Sequence, residues 1–87
     1  MYYVYILRCG DGSLYTGITT DMNRRLDMHK GLVSGGAKYT RAKGVLGVEA
    51  IFEAESRSEA LKLEYRIKHM SKQQKERLIN GNKDDQR

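Results

Sequence analysis

The chain has 87 residues, of which 31% are charged, and its 16 Lys and Arg outnumber 11 Asp and Glu to give a net charge of +5. This length suits one domain with a single core, and no apolar run approaches the about 20 residues of a membrane span. The single cysteine, Cys9, excludes an internal disulfide and favours a reducing, cytoplasmic setting. A basic balance of this size is typical of proteins that bind nucleic acid, but it also occurs where charge only solubilises a surface.

A β-hairpin is predicted for residues 1–19. The segment "MYYVYILRC" alternates between two faces and is rich in aromatic and β-branched residues, which is typical of a strand. The turn sequence "GDG" and a second strand, "SLYTGIT", follow it, and we expect a three-residue loop with Gly12 at positive φ. This register sets Tyr5 opposite Gly17, with Tyr15 as a diagonal neighbour on the same face. Because Gly17 leaves space over the Tyr5 ring, the two phenols form a candidate pocket floor.

A helix is predicted for "TTDMNRRLDMHK", with Thr20 as its N-cap and with Met22 and Leu26 as its apolar stripe. Arg25 and His29 are four residues apart, so they lie on one side of this helix. An ordinary solvated helix face is the alternative for this pair.

The glycine-rich stretch "GLVSGGAKYTRAKG" is predicted to be a loop with one short helical turn. Its cations, Lys38, Arg41 and Lys43, either bind nucleic-acid phosphates without reading sequence or are solvated loop charges. The stretch "VLGVEAIFEAE" then supplies a third strand around Val48 to Ala54.

Two helices are predicted in the remaining sequence. The first, "SRSEALKLEYRIKHM", opens with a capping box made by Ser56 and Glu59. The second begins at about Ser71 and ends at Gly81. We therefore expect one domain over residues 1–80, with 81–87 as a frayed tail.

Glu64 lies inside the apolar arc of the first of these two helices, not opposite it. On a helical wheel, this arc is a main stripe with a margin: Ala60, Leu63, Ile67 and Met70, widened by Leu61 and Tyr65. A buried carboxylate needs a partner. Glu64 therefore either forms an ion pair with Lys68, worth about 0.3–0.5 kcal/mol if exposed, or lines a cleft and binds a divalent cation or a cationic group.

Five of these side chains together contain the parts that phosphodiester hydrolysis needs: Tyr5, Tyr15, Arg25, His29 and Glu64. A metal ion and an arginine can stabilise the developing charge, and a phenol or an imidazole can move the proton. A second acidic pair is missing, so the set does not support a two-metal site. One ion held by one carboxylate, waters and substrate suits magnesium.

This ordered set resembles the GIY-YIG nuclease superfamily. The first motif is "YVY", with Tyr3 in the place of the usual glycine, and the second is "YTG", which ends at Gly17. An arginine eight residues after that glycine and a histidine four further on match Arg25 and His29. The metal-binding glutamate on a later helix matches Glu64. More narrowly, "RRLDMHK", "GGAKYTR" and "SEALKLEYRIK" resemble the small stand-alone UPF0213 or YhbQ-like group.

The resemblance implies an α+β fold, a small three-stranded antiparallel sheet flanked by helices, and a site that uses one Mg²⁺ or Mn²⁺ ion. Tyr5 would be the leading general base, and Tyr15 would support it or orient the scissile phosphate. Arg25 would stabilise phosphate charge, and His29 would aid proton transfer or hold the nucleophile. Glu64 would ligate the metal. Tyr15 and His29 remain alternatives for the base.

Two functions stay open at this point. One is a bacterial DNA endonuclease, structure- or single-strand-directed, with a role in DNA repair. The other is a nucleic-acid-binding module that does not cleave or that cleaves only with a partner. No membrane is expected among the partners. A protein partner or a homodimer would add selectivity, because 87 residues offer little surface for it.

Overall fold

A computed structural model of the chain describes residues 1–29 and 43–85. Its elements follow the order β1 (Tyr2–Cys9), β2 (Leu14–Thr19), α1 (Met22–His29), β3 (Val45–Ala54), α2 (Arg57–Lys68) and α3 (Lys72–Asp85). The strands form one sheet in the order β2-β1-β3, and both pairings are antiparallel. The predicted α+β fold, a three-stranded antiparallel sheet with helices around it, is confirmed.

The hairpin has the predicted register. Tyr5 pairs with Gly17 and Leu7 pairs with Tyr15. The turn closes through a 2.8 Å hydrogen bond from Cys9 N to the carbonyl oxygen of residue 13, and Gly12 has a φ of 85°. A positive φ costs glycine little because it lacks a Cβ. The loop length thus brings both phenols to one face of the sheet.

The central strand β1 is buried on both faces over residues 4–7. Val4 and Ile6 belong to the main core, together with Ala60 and Ile67 of α2 and Ile79 of α3. The opposite face carries Tyr5, Leu7 and Cys9, as strand alternation requires. β1 is therefore a rigid support for a site built on its second face.

The helix ends follow the predicted capping chemistry with two differences. Asp21, not Thr20, caps α1, because its Oδ1 accepts a 3.1 Å hydrogen bond from the backbone N of residue 24. Both residue types are good caps, so composition alone did not separate them. The Ser56 cap of α2 is confirmed by a 3.2 Å bond from Glu59 N to Ser56 Oγ. The last helix continues past Gly81 to Asp85.

Arg8 ties α3 to the sheet. Its guanidinium donates to both carboxylate oxygens of Glu76 at 3.0 and 2.6 Å, and to Glu49 at 3.4 Å. A bidentate arginine–carboxylate pair fixes orientation as well as supplying energy.

β3 begins at Val45, three residues earlier than the predicted Val48. No described helix is long and apolar enough to cross a membrane.

Leu61 and Tyr65 are not part of the core. The wheel had assigned both to the apolar margin of α2, yet Leu61 is 44% exposed and Tyr65 is 64% exposed. Ala60 and Ile67, by contrast, are fully buried. The sheet covers only the central stripe of α2, so its flank toward Leu61 and Tyr65 stays open to solvent.

Candidate active site

One cleft of about 410 Å³ brings together four of the five predicted catalytic side chains. It follows the edge strand β2, which contributes Tyr15, and it contains Tyr5 of the central strand. Arg25 of α1 and Glu64 of α2 also line it. Side chains of β1, β2, α1 and α2, which are distant in the sequence, thus converge on one cleft.

The fifth side chain, His29, reaches the cleft through Tyr5. The Tyr5 hydroxyl and Nε2 of His29 are 2.8 Å apart in a buried hydrogen bond, and each residue is only 2% exposed. The Tyr15 ring lies edge-on to the His29 ring, with centroids 5.0 Å apart, and its centroid is 6.5 Å from that of Tyr5. The three rings form one packed cluster.

Gly17 is required by the position of Tyr5. A Cβ atom built at Gly17 would lie 2.6 Å from Cζ of Tyr5 and closer still to the hydroxyl. The sequence predicted open space above the Tyr5 ring at Gly17. In the structure the hydroxyl end of the Tyr5 phenol occupies that space. Glycine therefore lets the hydroxyl pass the edge strand and reach the cleft.

Burial keeps the Tyr5–His29 pair neutral. Desolvation raises the pKa of Tyr5 well above its usual value of 10.0, and the nearby Tyr15 and Glu64 raise it further, while Arg25 opposes them. Desolvation, followed by the charge of Arg25, lowers the pKa of His29 below 6.5. At neutral pH the phenol therefore keeps its proton and the imidazole is uncharged. When that imidazole carries its proton on Nδ1, the phenol donates to Nε2.

Glu64 both contacts Lys68 and lines the cleft, so the two alternatives that the sequence left open are compatible. Its Oε2 lies 3.6 Å from Nζ of Lys68, and it also lines the cleft. The Glu64 side chain is 19% exposed and that of Lys68 is 51% exposed. Such a long, half-solvated pair is weak, so the carboxylate remains able to bind a cation from the cleft.

The donor set fits a divalent ion that keeps most of its water. Within the described ranges 1–29 and 43–85, no group of three or more His, Cys, Asp or Glu side chains is arranged to hold a metal. Glu64 is the predicted carboxylate ligand in the cleft. Magnesium and similar ions are commonly bound by one or two carboxylates plus substrate phosphate and water. A closed structural site of several protein ligands is not present in this part of the chain.

Sequence reasoning missed Arg57, which lines the cleft from the first residue of α2. Arg57, Leu61 and Glu64 are spaced by four and then three residues, which puts them on one face of a helix. Once Glu64 was a candidate, that spacing was the signal that could have found Arg57. It adds a second guanidinium to the lining of the cleft.

Of the three predicted nucleic-acid contacts, the structure describes only Lys43. Lys38 and Arg41 are outside the described residues, so their role stays a prediction. Lys43 precedes β3, and its Nζ forms a 2.6 Å ion pair with Oδ2 of Asp11 in the hairpin turn. This pair, with the hydrogen bonds from residue 13, holds the pKa of Asp11 well below its usual range. Lys43 is not among the residues that line the cleft.

Comparison with known proteins gives a consistent result. The family model described as GIY-YIG catalytic domain matches residues 1–77. UPF0213 protein YE0453 of Yersinia enterocolitica is 53% identical over 79 residues, which cover 91% of this chain and 79% of that protein. UPF0213 protein BH0048 of Halalkalibacterium halodurans is 49% identical over 79 residues, covering 90% and 81%.

The fold agrees with a solved relative. The solution NMR structure of UPF0213 protein BH0048 from Bacillus halodurans matches with a TM-score of 0.58 at 47% identity, over 92% of this chain and 84% of that one. Sequence and fold therefore give the same assignment over nearly the whole chain. The protein belongs to the GIY-YIG family, a family of nucleases, and within it to the UPF0213 group.

Proposed function

We propose that this protein is a metal-dependent endonuclease that hydrolyses DNA phosphodiester bonds in the cleft along β2. The observation that supports the proposal is the convergence of Tyr5, Arg25 and Glu64, from three separate elements, on that one cleft. The scissile phosphate, a general base and a carboxylate that can ligate a metal would then lie within one cleft. Structure- or single-strand-directed cutting is the proposed mode.

Charge stabilisation is the role of Arg25 and of Glu64. The guanidinium of Arg25 faces a bound phosphate and stabilises its charge as the attacking oxygen adds. Glu64 would hold one Mg²⁺ or Mn²⁺ ion. When bound, such an ion supplies positive charge to the phosphate and opposes the effect of Glu64 on the pKa of Tyr5.

Proton transfer is the role of Tyr5 and His29. As water attacks phosphorus, its proton passes to the Tyr5 oxygen while the phenol's own proton moves along the 2.8 Å hydrogen bond to Nε2 of His29. This relay avoids a free tyrosinate, which the raised pKa of Tyr5 disfavours. Tyr15 orients the phosphate beside the pair. The charged His29 that results loses its proton to solvent through the same phenol, and the leaving oxygen, on the far side of phosphorus from the attacking water, takes its proton from water.

A specific observation favours the alternative of a non-cleaving or partner-dependent binding module. Tyr5 is 2% exposed, so little of the phenol is reachable in the isolated chain. A partner or a second copy that opened the cleft would then be needed for activity. We further propose that the protein acts in the cytoplasm on DNA in a repair setting, where such a partner supplies selectivity.

Cleavage of labelled single-stranded, nicked and branched DNA with Mg²⁺ or Mn²⁺ tests the proposal. Glu64→Gln removes the charge and keeps the shape, and Glu53→Gln, on the exposed face of β3, is its matched control. The proposal expects cleavage by wild type and Glu53→Gln, loss of cleavage in Glu64→Gln, and DNA binding by all three. Equal trace cleavage by all three proteins would instead indicate a contaminant and support the binding module.

A further inference from the structure

A second hollow lies beside the cleft on the solvent-facing flank of α2. It measures about 460 Å³ and is lined by Leu61, Lys62, Tyr65 and Arg66, and we call it the α2 groove. Leu61 and Tyr65 expose 44% and 64% of their surface here, although nothing in the core requires them. Contiguous exposed apolar side chains are a feature of binding surfaces.

The Tyr65 ring in this groove is supported on one side by His69. Its ring stacks on that of His69 one turn later, with centroids 4.0 Å apart and planes at 31°. Nδ1 of His69 donates a 2.8 Å hydrogen bond to the Tyr65 carbonyl oxygen, which fixes the imidazole at the end of α2. His69 is on the C-terminal side of Tyr65, and Leu61 is on the N-terminal side. The contact with His69 restricts the positions open to the Tyr65 ring, which lowers the side-chain entropy that binding on the ring would cost.

The charges around the groove suit a polyanion. Lys62 and Arg66 both line it, and neither has an ion-pair partner among the side chains that the structure describes. Two cations beside an exposed aromatic ring are the usual composition of single-strand binding surfaces, where bases stack and phosphates are neutralised. The same two cations oppose a symmetric dimer through this face, because a two-fold interface would bring two copies of the same basic patch together.

The groove is continuous with the cleft. Leu61 lines both, and Glu64 in the cleft is the immediate neighbour of Tyr65 in the groove. A strand with one phosphate beside Arg25 and Glu64 would therefore reach the Tyr65 ring by crossing Leu61. Only an unpaired nucleotide can turn its base face onto that ring, since the bases of a duplex are stacked on each other.

We propose that the α2 groove binds an unpaired nucleobase next to the scissile phosphate, stacked on Tyr65, with Lys62 and Arg66 on the adjoining phosphate. The substrate class is then nucleic acid with a single-stranded segment at the cleavage point. This inference rests on the proposed endonuclease function, because it takes the cleft as the place of the scissile bond.

Binding by the Glu64→Gln protein tests the groove without cleavage. The probes are single-stranded DNA that carries 2-aminopurine, whose fluorescence falls on stacking, and a blunt duplex of the same length. Adding Tyr65→Leu keeps an apolar side chain and removes the ring, whereas Tyr65→Phe keeps the ring. We expect Tyr65→Leu to weaken single-strand binding about 5- to 100-fold and to abolish the fluorescence change, with duplex binding within about 2-fold. Tyr65→Phe should behave as the parent does.

Each of the following outcomes contradicts the proposal that the α2 groove binds a nucleobase. If Tyr65→Leu weakens single strand and duplex equally, the effect is one of charge or folding, and thermal unfolding of the same variants separates these two. If it changes only the oligomeric state in sedimentation, the occupant is a second copy of the chain. Cleavage by wild type and by Tyr65→Leu with the same preference for single strands would reject the groove and leave the nuclease proposal standing. Ring-dependent binding without any wild-type cleavage would reject the nuclease proposal and with it the assignment of the groove to a scissile site.

Discussion

The hydroxyl of Tyr5 and Nε2 of His29 are joined by a buried 2.8 Å hydrogen bond, although 24 residues separate them in the sequence. Each group is desolvated, and each therefore favours its neutral form. The bond satisfies both polar atoms and at the same time makes a route for a proton. Structure and proposed chemistry thus depend on the same contact.

Removal of that hydroxyl should reduce cleavage far more than it reduces binding. Tyr5→Phe keeps the ring and breaks the relay to His29, so we expect a loss of roughly 10²- to 10⁴-fold in single-turnover rate. It also leaves a buried imidazole nitrogen without this partner, which costs about 1–3 kcal/mol of stability. Tyr3→Phe, on the same strand and outside the cleft, is the control. A full cleavage rate in Tyr5→Phe would remove the phenol from the mechanism.

The Tyr5–His29 pair should give the free energy of unfolding a maximum at a pH between the titrations of His29 and Tyr5. The pKa of His29 is lowered on folding, so the unfolded chain binds the extra proton first and stability falls as pH drops below about 6.5. The pKa of Tyr5 is raised, so the unfolded chain ionises first and stability falls as pH rises above about 10. Urea unfolding across this range measures both limbs. In His29→Gln the acidic limb should flatten, because the group that takes up the proton on unfolding is absent.

Gly17 should not tolerate even one methyl group. In Gly17→Ala the new Cβ would meet Cζ and the hydroxyl of Tyr5, so we expect a cost of about 1–3 kcal/mol and a slower reaction. Gly47→Ala is the matched control, because no atom lies within 4 Å of a Cβ at that strand position. Combining Gly17→Ala with Tyr5→Phe should cost less than the sum of the two, since the hydroxyl is the nearest obstacle. Strict additivity would mean that the hydroxyl does not contribute to the cost and that the ring carbons alone set it.

Local geometry made the hairpin part of the site predictable from the sequence. The period of two along each strand and the three-residue loop together fix which residues pair, and so the arrangement of Tyr5, Tyr15 and Gly17 could be predicted. The contact between Tyr5 and His29 did not, because it depends on how α1 packs on the sheet. Strand register is a local property, whereas helix placement is a tertiary one.

The errors on α2 have the same origin. A helical wheel shows that Leu61 and Tyr65 flank the apolar stripe, but it does not show how wide the covering surface is. The sheet is narrow, with three strands, and of α2 it buries Ala60 and Ile67 fully and Leu63 partly. Tyr65 was therefore placed at the margin of the apolar stripe, although 64% of its surface is exposed.

Arg57 offers a test of the cleft that does not depend on catalysis. A guanidinium that neutralises one DNA phosphate adds about one unit to the slope of log affinity against log salt concentration. Arg57→Ala should therefore lower that slope by about 0.7–0.9 and weaken all DNA sequences equally, since phosphate contacts carry no sequence information. Arg77→Ala, on exposed α3 and outside the cleft, should leave the slope nearly unchanged. Equal slopes for Arg57→Ala and wild type would show that DNA does not enter the cleft beside α2.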